Sequence, residues 1–281
     1  MRVLVTGSSG QLGAAIARLL RPEHDVFGLD VLPGPETTHL GDLADRALIN
    51  TLVGRAEVVI HTASLHVRHL ATATKEAFIA TNIAGTQHLL TAAAASPVAR
   101  LVYTSSTSVY GDALVPTDRA VWVTEDVTPQ PRDIYDVTKL AAEGLCRLFH
   151  RETHIPTRCL RVGRFFPEPP DQTALYRLYR GLDPRDAAEA HRLAATVDGP
   201  GYGLYNIAAR SPFAEVDAPE LWRDAAAIIR RYHPEAEAFF ARQGWAMPAQ
   251  IDRVYVIERA SRELGYHPRH NFADFLREYV Q

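Results

Sequence analysis

Thr6-Gly7-Ser8-Ser9-Gly10-Gln11-Leu12-Gly13 places three glycines between two patterned runs. The run before it, Arg2–Thr6, is compact and rich in β-formers, and reads as a strand. The run after it, Gln11–Arg21, sets Leu12, Ile16, Leu19 and Leu20 on one face, and reads as a helix. Each glycine has its own expected task. Gly7 permits the tight turn, Gly10 lets backbone approach a pyrophosphate, and Gly13 lets the helix pack close to the sheet. The helix start then offers free N–H groups and a positive dipole end to phosphate. A glycine triplet alone is weak, but its place between strand and helix makes it a dinucleotide turn. Ser9, Gln11 and Leu12 join the three glycines as expected cofactor contacts.

The same alternation continues outward. Strands are expected at Asp25–Asp30, Thr38–Leu40, Glu57–His61, Arg100–Ser105, Pro156–Val162 and Gly203–Ile207. Helices are expected at Asp42–Gly54, Thr74–Ser96, Asp133–Glu152 and Asp183–Ala195. This β–α order predicts an α/β fold, a Rossmann-type doubly wound parallel sheet with right-handed crossovers. Ligands then sit beyond the carboxyl ends of the strands. Gly163–Thr173 is Pro-rich and irregular, and Ser211–Met247 is helical and aromatic. Val256–Leu264 and Phe272–Val280 read as closing helices. The expected units are residues 1–162, with 183–210 and 253–264 returning to them, as the dinucleotide-binding domain. Residues 163–182 and 211–252 form a small substrate lobe, and 265–281 a closing helix.

Asp30 ends the second strand. A carboxylate there accepts from a ribose 2′-OH and repels a 2′-phosphate, which favours NAD over NADP. The net charge is −3 among 281 residues, with no cationic block, so no nucleic-acid partner is expected. No apolar run reaches the ~20 residues of a membrane span. The two cysteines, Cys146 and Cys159, lack metal-ligand spacing and suit a reduced cytoplasmic protein. No metal site is expected, and His61, His66, His69 and His88 read as surface or core histidines.

Tyr135-Asp136-Val137-Thr138-Lys139 is a Y-x-x-x-K on an expected helix, with both functional side chains on one face. A free tyrosine has a pKa near ~10 and is a poor base at neutral pH. A nearby ammonium lowers that value and lets the phenolate take a proton from a substrate hydroxyl. Thr104-Ser105-Ser106-Thr107-Ser108-Val109-Tyr110-Gly111 follows the fifth strand. A hydroxyl there can hold the substrate oxygen. Ser106 is the first choice, with Ser105 and Thr107 as alternatives.

With these motifs in view, the chain resembles the extended short-chain dehydrogenases/reductases, the NAD-dependent epimerase/dehydratase family. The likeness runs along essentially the whole chain and is strongest over residues 1–165. It is carried by TGSSGQLG, Asp30, GDL at 41–43, HTAS at 61–64, TNIAGT at 81–86, SSTSVYG at 105–111 and YDVTK at 135–139. It implies that Asp42 and Leu43 flank an adenine, and that Thr62, Ala63 and Ser64 line the cofactor channel. It implies that Asn82 sits near the active site and supports the lysine, that Lys139 also holds the nicotinamide ribose, and that the chain forms a homodimer through its long helices.

Two departures bear on the substrate. The family's 4,6-dehydratases place an Asp-Glu pair where this chain has Thr107 and Ser108, which argues against water elimination. The epimerases' R-x-x-N-x-Y-G-P reads here Arg161-Val162-Gly163-Arg164-Phe165-Phe166-Pro167, with Arg164 in place of the Asn. Arg253 is the remaining candidate for a diphosphate. The run RVGRFFPEP is similar to the uronate dehydrogenases, and an arginine there suits a sugar carboxylate or phosphate. The expectation is an NAD-dependent sugar oxidoreductase, either epimerase or dehydrogenase. The alternative is a non-catalytic dinucleotide sensor of the same fold.

Overall fold

A computed structural model describes residues 1–279; the final residue of the expected closing helix, Val280, lies outside them. The strands are β1 (Arg2–Thr6), β2 (Asp25–Asp30), β3 (His39–Leu40), β4 (Val58–His61), β5 (Arg100–Ser106), β6 (Val121–Val123), β7 (Thr157–Val162), β8 (Tyr202–Ile207) and β9 (Arg253–Tyr255). Seven of them form one sheet in the order β3-β2-β1-β4-β5-β7-β8. Every pair in it is parallel. The order reverses direction beside β1, between β2 and β4, where ligands gather in doubly wound sheets. The sheet, its parallel strands and its flanking helices are those expected of a Rossmann-type fold.

Helix α1 (Gln11–Leu20) buries Leu12, Ile16 and Leu20 at four-residue spacing. It packs with α7 (Pro184–Thr196) on one face of the sheet. The other face carries α2 (Arg46–Val53) and α5 (Ile134–Thr153). Between them lies a composite helix of α3 (Lys75–Phe78), a π-helical segment (Ile79–Gly85) and α4 (Thr86–Ala94). Start signals set the helix ends. The Asp45 carboxylate accepts the Leu48 N–H at 3.0 Å to cap α2, and Asp133 accepts the Asp136 N–H at 2.9 Å to cap α5. α5 stops at His154, which turns left-handed with φ 61°.

A third apolar cluster, separate from the two sheet faces, gathers Leu178, Phe213, Ile228, Phe239, Phe240, Val254 and Phe272. It joins α6 (Pro170–Tyr179), α8 (Ala218–Arg223), α9 (Ala225–Tyr232), α10 (Ala236–Gln243) and α12 (Phe272–Tyr279). Burying aromatic and branched side chains of this kind contributes about 1.5–3 kcal/mol each. α11 (Glu258–Leu264) instead packs against β8 and α7. Two features go beyond the sequence reading. Residues 170–179 are helical, so the irregular run expected through Thr173 ends at Pro169; Pro170 takes the favoured first position, where its missing N–H costs nothing. β6 and β9 pair as a separate two-stranded parallel sheet, joining a strand from the first half of the chain to one near its end. Cys146 and Cys159 are free and buried, and no helix among the described residues is long and apolar enough to cross a membrane.

Candidate active site

A cavity of about 730 Å³ opens along the carboxyl ends of β1, β2, β4, β5 and β7. Its dinucleotide end is the glycine turn. Gly7 has φ +75°, and a Cβ there would stand 2.6 Å from Thr62 Oγ1 and 2.7 Å from the Ala63 nitrogen. A Cβ on Gly13 would lie 2.0 Å from the Gly7 carbonyl oxygen. Close helix–strand packing and the left-handed turn therefore both require glycine. The N-cap Gly10 supplies no side-chain acceptor, and the first turn of α1 contains no acid. Its N–H groups are left for an anion, so the cradle fits a pyrophosphate. The Asp30 carboxylate accepts the Ser9 N–H at 2.9 Å and the Leu32 N–H at 3.0 Å, which fixes it at the cavity wall. Each oxygen keeps further acceptor capacity for a ribose hydroxyl.

Gly7→Ala tests this end. Left-handed backbone costs a non-glycine residue roughly 1–2 kcal/mol, before the contact with Thr62 and Ala63 is relieved. We expect NAD affinity, read by calorimetric titration, to fall at least about tenfold. Unchanged affinity would show that the turn does not shape the site.

All the expected cofactor contacts line this one cavity: Ser9, Gly10, Gln11, Leu12, Asp42, Leu43, Thr62, Ala63 and Ser64 with Gly7, Gly13 and Asp30. Ser106, Thr107, Tyr135, Lys139, Arg164 and Arg253 line it too. Ser106 ends β5 and accepts from the Ser108 N–H at 3.1 Å and the Ser108 hydroxyl at 2.9 Å. Its own hydroxyl hydrogen is left for another partner. Ser105 donates instead to Glu143 at 2.5 Å, and Thr107 is directed to the Val162 carbonyl at 3.4 Å. Between the three alternatives, the geometry favours Ser106.

Lys139 Nζ donates to the Thr104 carbonyl at 2.8 Å and lies 6.0 Å from the centroid of the Tyr135 ring. Burial lowers its pKa to about 7. Burial also raises the Tyr135 phenol, and the neighbouring Ser106 hydroxyl works against the rise. This differs from the sequence expectation of a phenol lowered by the ammonium. In the protein alone, desolvation outweighs any help from a lysine that is itself half-inclined to neutrality.

Asn82 lies just behind the cavity wall and makes no direct hydrogen bond to Lys139 among the described residues; it reaches the neighbouring Thr138 and the cavity residue Leu65 instead. It sits buried in the π-helical segment, where its amide donates to the Leu65 carbonyl at 2.9 Å and to Thr138 Oγ1 at 3.0 Å. Its Oδ1 accepts the Leu65 N–H at 2.7 Å. It therefore pins the loop after β4 to α5. The extra residue of a π turn is a common device for aiming a side chain this way.

His61 is a core histidine, within the sequence expectation, bonded to Thr6 at 2.7 Å and Thr86 at 3.0 Å. His66, by contrast, lines the cavity, as do Arg68, Arg132, Arg180 and Phe166. Their only sequence signal is position, just beyond strand ends. His191 reaches Thr104 at 2.8 Å from α7. Burial lowers His61 to about 3 and His191 to about 4. Both folded values lie below the unfolded ~6.5, so the unfolded chain binds more protons between pH 6.5 and 4. Stability is then full above pH 6.5 and falls on acidification through that window, by on the order of 1 kcal/mol per pH unit for each histidine. Urea midpoints at pH 7.0 and 5.0 should differ accordingly; equal midpoints would show that neither ring is held neutral.

Arg164 pairs with Glu168, Nε to Oε1 at 2.6 Å, and Arg253 pairs with Asp252. Arg68, Arg132 and Arg180 form no ion pair among the described residues. The far end of the cavity is thus net cationic.

The model of the family described as "NAD dependent epimerase/dehydratase family" matches residues 3–178. A uronate dehydrogenase of Pseudomonas putida is 29% identical over 183 residues, covering 60% of this chain and 62% of that protein. The chain spans about three fifths of the length of the first curated relatives it matches. A dTDP-glucose 4,6-dehydratase of Streptomyces antibioticus is 28% identical over 322 residues, covering 98% of this chain and 90% of that protein. That whole-length likeness weakens the exclusion of water elimination drawn from Thr107 and Ser108. A solved short-chain dehydrogenase/reductase superfamily protein from Agrobacterium tumefaciens, with bound NAD, superposes with a TM-score of 0.75 at 23% identity, covering 99% of this chain and 95% of that one. The glycine turn and the Asp30 wall fit a dinucleotide, and the chain belongs to the NAD-dependent epimerase/dehydratase family.

Proposed function

We propose that the chain transfers hydride between NAD and a carbinol carbon of an anionic sugar, a sugar acid or a nucleotide sugar. One observation carries this reading: a single cavity joins the glycine turn, the Ser106–Tyr135–Lys139 group and a cationic far end. Its arginines outnumber their carboxylate partners, and guanidinium groups suit carboxylate and phosphate.

When bound, NAD supplies the hydride acceptor and a positive charge near the phenol. Ser106 holds the substrate oxygen by its free hydroxyl hydrogen. Tyr135, as phenolate, takes the hydroxyl proton as the carbon gives up hydride, and returns it in the reverse direction. Lys139 holds the phenolate form by its charge and binds the nicotinamide ribose. Arg164 and Arg253 hold the substrate's anionic group.

Absorbance in the NADH band, with NAD and a panel of uronic acids, free sugars and nucleotide sugars, tests the proposal. Net NADH formation with one substrate identifies a dehydrogenase. A new epimer without net NADH identifies an epimerase. Silence on both with NAD binding intact would favour the dinucleotide sensor.

A further inference from the structure

His66 occupies an unusual place. It follows β4 by five residues and lines the cavity. Its ring lies 4.8 Å, centroid to centroid, from that of Tyr135 and 5.0 Å from that of Phe166. Phe166 is flanked by two guanidinium groups, Arg68 at 4.1 Å and Arg164 at 5.1 Å from its centroid. The backbone N–H of His66 donates to His69 Nδ1 at 2.8 Å, which fixes the start of this turn. The imidazole itself makes no hydrogen bond among the described residues. Its Nδ1 is shut away from solvent without a partner, while Nε2 is not shut away. No protein group takes up Nε2, so a ring on the cavity wall beside Tyr135 keeps that nitrogen free to bond a ligand.

We propose that His66 is a specificity residue of this site: its imidazole packs the Tyr135 ring and hydrogen-bonds the substrate through Nε2. The inference rests on the oxidoreductase reading above and deepens it. It assigns the residue that meets a neutral oxygen of the sugar, next to the carbinol that Tyr135 serves, while the arginines meet the anion. The environment holds the ring neutral. Burial lowers its pKa to about 3, and the charges of Lys139, Arg68, His69 and Arg164 act in the same direction. A neutral imidazole can donate or accept at Nε2, whereas a charged one can only donate and would repel the cations around it. Phe166 and Tyr135 fix the ring plane, so the hydrogen bond has one direction. This is the kind of pre-aimed polar group that rejects substrates lacking the matching hydroxyl.

Substitutions that differ in reach test it. His66→Phe keeps an aromatic ring against Tyr135 and removes both nitrogens. His66→Gln restores a polar nitrogen near the position of Nε2, and His66→Asn reaches only as far as Nδ1. With the best substrate of the panel, KM should rise at least tenfold in His66→Phe and in His66→Asn, with kcat within about threefold and NAD affinity unchanged. His66→Gln should recover most of the loss. Unchanged KM in His66→Phe with an active parent would overturn the inference and leave the oxidoreductase reading standing. Equal losses in all three variants would also overturn it, since a role in loop structure alone predicts that pattern. A parent that binds NAD but turns over nothing in the panel fails the oxidoreductase reading first, and His66 then has no substrate to serve.

Discussion

Tyr135→Phe should lower kcat/KM by about 10²–10⁴ while leaving NAD affinity within twofold, because the change deletes only the oxygen that moves the proton. The ring that contacts His66 at 4.8 Å is kept, so packing is preserved. The loss should fall on the rate of turnover rather than on binding, with single-turnover NADH formation slowed to the same degree. Retained activity in this variant would end the assignment of Tyr135 as acid/base. The same measurement on the parent across pH carries a second sign. Lys139 is held near 7, below its ordinary value. It is charged below that pH and loses charge above it, so its support for the phenolate weakens as pH rises through about 7 unless the bound cofactor restores it.

The sheet was legible because its strands are short apolar runs in a strict alternation with amphipathic helices. β1, β2 and β7 end within a residue of where the pattern places them. The glycine turn was legible for a sharper reason: Gly7 and Gly13 answer steric needs that other residues cannot meet. The π-helical segment was not legible. Its residues continue a helical pattern, and the extra residue per turn has no signature in composition. The partners of Asn82, Leu65 and Thr138, were hidden for the same reason. β6 is three residues long and finds its partner, β9, about 130 residues later, a pairing that local periodicity cannot carry. His66 was hidden for a related reason. Four histidines in one stretch look alike in sequence, and only the fold sends one into the core and another into the cavity.

Beneath the hydroxyls at the end of β5 lies a buried ion pair whose loss should have the largest effect on stability. Arg161, on β7, reaches Glu143, on α5, with Nε to Oε1 at 2.9 Å and Nη2 to Oε2 at 2.7 Å. Both side chains are almost wholly buried, at 3% and 6% exposure. Arg161 also lies over the Tyr110 ring at 4.7 Å, and Ser105 donates to the same carboxylate. Arg161→Met would leave that carboxylate buried with one hydroxyl for company. Breaking a buried pair in this way costs about 3–5 kcal/mol, a large share of the ~5–15 kcal/mol that holds a typical domain folded. The double change Arg161→Met with Glu143→Leu removes both charges together. It should cost far less, because no uncompensated charge remains, though Ser105 loses its acceptor. Urea unfolding of the two variants separates the readings: equal losses would show that shape and not charge is what the pair supplies. The double variant carries a functional consequence as well. Glu143 stands one helical turn beyond Lys139 and is among the groups that hold up the lysine's charge. Without it the ammonium becomes weaker still, so the double variant should fold and yet lose turnover at neutral pH. A double variant that is both stable and fully active would separate the ion pair from the site above it.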